Sequence, residues 1–221
     1  LNTSDEDLVQ MAIGRGFVLG KDALPYIEGV VDAVTPFVEM KWRPANVQPW
    51  RTTTTNLVGS YNIANLCAAV TIGLYFGITL EQIDHALSTY YPTNSRSELR
   101  VAGSNRLIID AYNANPSSMA AALTNFSLMR DRHKMVILGE MRELGAESVE
   151  EHKKIVEQLQ DMELERIWLV GSEFKKVAEG IRVFDDVEAV KIALKEEPIS
   201  DMTILIKGSN GTKLHQLPSL F

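Results

Sequence analysis

The stretch DAYNANPSSMAAAL, residues 110–123, sets Asp110, Tyr112, Asn113 and Asn115 between an apolar run and a segment of small residues. A carboxylate accepts hydrogen bonds from sugar hydroxyls or amines, and carboxamides both donate and accept. Two further stretches carry similar chemistry. KGSNG (207–211) offers the Lys207 cation to a phosphate or carboxylate, with Ser209 and Asn210 beside glycines that let backbone N–H groups come close to an anion. GEMRELG (139–145) contributes Glu140 and Glu143, and GSEF (171–174) is a fourth polar joint. Each has a plainer reading. Asn115 is also a natural helix cap ahead of Pro116, which suits a first helical turn. Gly139, Gly171 and Gly208 also read as turn glycines, the two glutamates as solvated loop charges, and Lys207 alone as a solvated cation. His152 in EEHKKI reads as a surface residue, and His85, His133 and His215 have no partner at metal-ligand spacing.

All four joints fall at the ends of short apolar runs. ELRVAGSNRLIID (98–110) reads as a hairpin around Gly103-Ser104-Asn105. Helix 116–132, strand 134–139, helix 148–162, strand 166–171, a short helix 172–180, strand 181–184, helix 186–196, strand 202–208 and a last short helix from about 211 follow. Strands alternating with amphipathic helices predict an α/β fold: a Rossmann-like, mostly parallel sheet with helices on both faces. Right-handed crossovers then bring the strand C-termini to one edge, where ligands bind in open α/β sheets. The claim on which the functional reading hangs is that the turns at Asp110, Gly139 and Lys207 converge on that rim.

The first part of the chain has another grammar. IEGVVDAVTPFVEMKWR (27–43) and WRTTTTNLVG (50–59) suit antiparallel strands. Residues 61–76 read as a buried helix, and TLEQIDHALSTY as a second helix opened by a Thr79–Gln82 capping box. Asn62 and Asn65, three apart, are either caps or ligand contacts. YPTNS (91–95) is a flexible polar joint and the expected boundary between residues 1–93 and a domain spanning 94–221.

Composition narrows the classes. The 221 residues carry a net charge of −7, which argues against a nucleic-acid partner. One cysteine allows no internal disulfide and fits a reducing, cytoplasmic setting. No apolar run is long enough for a membrane span, so neither nucleic acid nor membrane is expected as a partner. RGFVLGKD (15–22) fails the P-loop pattern, because Arg15 stands where Gly is required and Asp22 replaces Ser/Thr. A chain opening LNTSDEDL reads as a piece of something longer.

DAYNANPSSMAAAL, LGEMRELG followed by EHKKI, and KGSNG, in this order, resemble the C-terminal domain of the Mur ligases. GSYNIANLCAA (59–69) and NTSDEDL (2–7) are similar to the end of that family's central ATPase domain, so residues 1–93 are expected to be a part of it without the P-loop. The form of the first motif resembles the branch that joins D-alanyl-D-alanine to UDP-N-acetylmuramoyl-tripeptide in peptidoglycan precursor synthesis. The resemblance implies an ATP- and Mg²⁺-dependent amide ligase, expected to be monomeric, whose phosphorylated substrate carboxylate is attacked by an amine. It implies Arg96 and Lys207 as catalytic cations. It sets Asn62, Asn65, Asp110, Tyr112, Asn113, Asn115 and Pro116 on the nucleotide side, and Ser209, Asn210, Glu140 and Glu143 on the substrate side, with no metal ligand assigned. Tyr61 stands where the family usually has His. Without a P-loop these 221 residues alone are expected to be inactive. The alternatives are another amide ligase of the same superfamily with a different amine, or a non-catalytic Rossmann-like binding module.

Overall fold

The computed structural model describes residues 27–221, apart from 35, 46 and 94. The segments 2–7 and 15–22 lie outside the described residues. The chain divides into two compact units, one of the residues up to Thr55 with Asn62–Tyr90, the other of Asn56–Tyr61 with Tyr91–Phe221.

In the first unit, strands β1 (Ile27–Val34), β2 (Phe37–Pro44) and β3 (Arg51–Val58) form a sheet in that order, with β1 and β2 antiparallel. Strand alternation explains both faces. Val38, Met40 and Trp42 point inward and are fully buried, while Lys41 and Arg43 pair with Asp32 and Glu28. The run of threonines obeys the same period: Thr53 and Thr55 are buried, and Thr52 and Thr54 are exposed. Thr53 Oγ1 accepts the Trp42 indole N–H at 2.8 Å and donates to Asp84, so the buried hydroxyl is satisfied in both directions.

Helix α1 (Ile63–Tyr75) follows a short 3-10 turn at Ser60–Asn62. The expectation of a buried helix is corrected. Leu66 and Val70 are buried, but Ile72, Tyr75 and Phe76 are open to solvent. The helix packs on β1, β2 and the next helix, so only one of its faces is covered. That next helix, α2 (Leu80–Thr89), opens with the expected box: Thr79 accepts from the Gln82 amide and Gln82 accepts from the Thr79 amide.

The second unit is a six-stranded sheet. Its strands are β4 (Glu98–Ala102), β5 (Asn105–Asp110), β6 (Lys134–Gly139), β7 (Arg166–Val170), β8 (Arg182–Phe184) and β9 (Thr203–Lys207), in the order β4-β5-β9-β6-β7-β8. Only β4 is antiparallel to its neighbour. The helices are α3 (Pro116–Ser127), α4 (Ser148–Gln160), α5 (Ser172–Lys175) and α6 (Val187–Glu196), and the chain ends in 3-10 turns at Asn210–Thr212 and Leu214–Leu220. The crossovers β5–α3–β6 and β6–α4–β7 advance one way across the sheet, whereas β8–α6–β9 returns. Constant right-handedness therefore puts α3 and α4 on one face and α6 on the other. Leu107, Ile109, Met135, Ile137, Ile204 and Ile206 pack toward α6 and the C-terminal turns as one buried cluster. Their alternates Ile108, Val136, Leu138 and Leu205 face the other way and are also buried. The sheet is mostly parallel with helices on both faces, as the sequence predicts.

Candidate functional site

Parallel register fixes the rim. Asp110, the last residue of β5, is the register partner of Lys207, the last of β9, and Lys207 is in turn the partner of Leu138 on β6. The loops after β5, β6 and β9 thus leave from adjacent strand ends, and the three turns converge as the functional reading requires.

Lys207 is not the solvated cation that its type suggests. It is 1% exposed, and its Nζ donates to Asp110 Oδ2 at 2.5 Å and to the Asn113 carbonyl at 3.4 Å. A lysine at the end of a central parallel strand, covered on both faces, has no route to water, so a carboxylate on the neighbouring strand takes up its charge. The Tyr61 hydroxyl donates to the same Oδ2 at 3.2 Å and lies 3.2 Å from Ser97 Oγ. Burial first, and then the Asp110 charge, hold the Tyr61 phenol well above its ordinary ionisation range. Asp110, itself 8% exposed, is the hub of this network.

The other two loops are stitched to it. Gly139 and Gly208 cross in contact: a Cβ on Gly208 would lie 2.9 Å from the Gly139 Cα and from Thr212 Oγ1. A side chain at either position would push the strand ends apart. Ser209, buried, accepts the Arg142 amide at 3.1 Å, donates to the Ala114 carbonyl at 3.4 Å, and its carbonyl accepts from Thr212 Oγ1 at 2.6 Å. One serine therefore joins all three loops.

Asn115 caps α3. Its Oδ1 accepts the Ser118 amide at 2.8 Å and the Ser117 hydroxyl at 3.0 Å, and Pro116 opens the helix. Glu140 reaches across to β7's exit, where Oε2 accepts the Glu173 amide at 3.3 Å and fills the space that a Cβ on Gly171 would need. Gly171 has φ +117°, a left-handed conformation natural only to glycine. Arg96 stacks its guanidinium 3.7 Å above the half-exposed Tyr112 ring. Asn113, Glu143 and Asn210 are exposed on their loops. Asn62 and Asn65 belong to the first unit, where Asn65 Nδ2 lies 3.4 Å from Asn62 Oδ1.

Two residues escaped the sequence reading. Arg142 sits mid-rim, its guanidinium 3.4 Å from the Gly211 carbonyl and 3.7 Å from Glu140 Oε1, against a glycine that leaves it room. His152, expected at the surface, is fully buried. It lies on the apolar face of α4 with Ile155, Val156 and Leu159, at helical spacing. That period was the available signal, obscured by the charges flanking the histidine.

Among the described residues no group of three or more His, Cys, Asp and Glu is placed to hold a metal ion, and no helix is long and apolar enough to cross a membrane.

Comparison with known proteins agrees with this fold. The family described as Mur ligase, glutamate ligase domain, matches residues 95–210. The UDP-N-acetylmuramoyl-tripeptide–D-alanyl-D-alanine ligase of Bacillus subtilis is 33% identical over 172 residues, which cover 73% of this chain and 38% of that protein. A crystal structure of MurF from Acinetobacter baumannii is similar at 26% identity and a TM-score of 0.68, over 88% of this chain and 43% of that one. MurF from Thermotoga maritima in complex with ADP shares the fold, with a TM-score of 0.71 at 18% identity over 87% of this chain and 45% of that one. The chain spans less than half the length of these relatives. On the family match across its second unit, this chain belongs to the Mur ligase family.

Proposed function

We propose that this chain is the C-terminal part of an ATP-dependent amide ligase that joins D-alanyl-D-alanine to UDP-N-acetylmuramoyl-tripeptide, a cytoplasmic step of peptidoglycan precursor synthesis. The observation that carries this reading is the meeting of three polar loops on one rim, tied by the Asp110–Lys207 pair and by Ser209. The names of the relatives supply the substrates: the protein from Bacillus subtilis is a ligase of that tripeptide and that dipeptide. Residues 94–221 are proposed as the ligase's C-terminal domain and residues 1–93 as part of its ATP-binding domain.

The rim residues sort by what they touch. Asn115, Pro116, Glu140, Lys207 and Ser209 have their polar groups or their place in the helix committed to holding the loops. Arg96, Tyr112, Asn113, Arg142, Glu143 and Asn210 are exposed and are the groups offered to ligands. The site fits a nucleotide on its donor set. The Asp110 hub receives the Tyr61 and Lys207 hydrogen bonds on Oδ2, and a carboxylate so placed suits a ribose hydroxyl. The Arg96 guanidinium, carried on an aromatic face, suits phosphate oxygens. ATP supplies the phosphoryl group that activates a substrate carboxylate. Arg96 would steady the charge on the phosphates, and the 139–145 and 208–212 loops would orient the amine donor. Lys207 acts through Asp110, by fixing the carboxylate's position and charge. Mg²⁺ is proposed to accompany ATP, with its ligands outside the described residues.

The test is a coupled assay for ADP release by the longer protein with ATP, Mg²⁺, the UDP-tripeptide and a panel of amines. Turnover confined to D-alanyl-D-alanine is expected, and none with these 221 residues alone. Preference for another amine would transfer the reading to a sister ligase. Turnover by the 221 residues alone, or none with any amine, would overturn it.

A further inference from the structure

Among the described residues, His152 is the one fully buried titratable side chain near the rim that the ligase reading leaves without a role. The Met141 backbone N–H donates to its Nε2 at 2.9 Å, and its Nδ1 lies 2.7 Å from the Ser148 carbonyl. A carbonyl only accepts and an amide N–H only donates, so the two partners dictate a neutral ring with its proton on Nδ1. The ring edge packs on Phe174 with centroids 4.7 Å apart, which fixes its plane. Met141 is buried and lies between Glu140 and Arg142, the two loop residues that reach across the rim.

We propose that His152 is a positioning residue: the neutral, Nδ1-protonated imidazole is the buried post on which the 139–145 loop is hung, and a second proton on the ring releases that loop. An imidazolium has no acceptor, so it would set a donor against the Met141 N–H. The charged groups bearing on the ring are few. From α5, Glu173 accepts from Ser148 Oγ at 2.7 Å and is paired with Lys176. The loop carries Glu140 and Glu143, the turn ahead of α4 carries Glu147, and on α4 itself Glu150, Glu151, Lys153 and Lys154 flank the histidine. The inference goes beyond the ligase reading and needs no ligand, so either can fail alone.

The experiment uses the isotopically labelled 221-residue chain. Long-range ¹H–¹⁵N spectra at neutral pH are expected to show His152 protonated on Nδ1 alone, and a ring protonated on Nε2 would overturn the proposal. On acidification, the Met141 and Arg142 amide resonances should titrate together with the His152 ring, while those of Val136 and Ile137 in β6 should not. Independence of the loop from the ring would overturn it. In His152→Leu and His152→Phe, which offer the Met141 N–H no acceptor, that amide should exchange roughly 10- to 100-fold faster, with that shared titration gone and β9 still protected. Unchanged exchange in folded variants would also overturn it. Should both variants unfold, the two wild-type measurements decide alone.

Discussion

Replacing Lys207 by Met tests the rim most directly. The lysine is 1% exposed and its counter-ion Asp110 8% exposed, so neither charge has water to fall back on when the other is removed. Lys207→Met leaves the Asp110 carboxylate with the Tyr61 hydroxyl as its side-chain donor, and breaking a buried pair from one side costs about 3–5 kcal/mol. Asp110→Asn leaves a buried ammonium and should cost a similar amount. The double variant leaves no orphaned charge, and a coupling of about 2–3 kcal/mol is expected between the two positions. The assay is native-state hydrogen exchange at Ile204, Leu205 and Ile206, which reads the opening of the sheet holding both residues and avoids assuming that the two units unfold together. If Lys207→Met lowers the opening free energy by under about 1 kcal/mol, or if the double variant loses the sum of the single losses, the pair is not the buried strut described here.

Two further outcomes follow from the same network and its neighbours. Asn115→Ala removes the acceptor for the Ser118 amide and should destabilise the second unit by about 1 kcal/mol, read by urea denaturation, whereas Asn115→Ser should lose much less. Tyr61 has its phenol pKa raised by burial and by Asp110, so stability it contributes is complete below the unfolded value of about 10 and is lost as pH rises beyond it. Ultraviolet titration should show Tyr61 remaining protonated until the fold gives way; ionisation of Tyr61 in the folded protein near the ordinary phenol value of about 10 refutes the buried network.

The outline of the second unit was legible because each element carried a local signal. The hairpin at Gly103-Ser104, the proline-opened helix at Pro116 and the apolar strands at 134–139 and 203–207 all stand where the sequence puts them, with the helices at 116 and 172 ending earlier than expected. The half-open α1 was misread, because an apolar segment shows that it can be buried and not how much of it a three-stranded sheet will cover.

Sequence alone determined the order of the elements and, through the handedness of crossovers, that the loops after Asp110, Gly139 and Lys207 leave from one edge. It could not decide which rim groups face water. Lys207 is a solvated cation by type and a buried ion by position, because β9 inserts between β5 and β6 although it comes last in the chain. His152 sits among charges in sequence and among apolar side chains in space, since neighbours along a helix point in different directions. The same holds for Ser209, Gly139 and Gly208, whose partners lie in loops far away along the chain. Local periodicity fixes what an element is; which of its groups are desolvated, and by whom, depends on strand order and packing, and those contacts between distant segments exist only in the folded molecule.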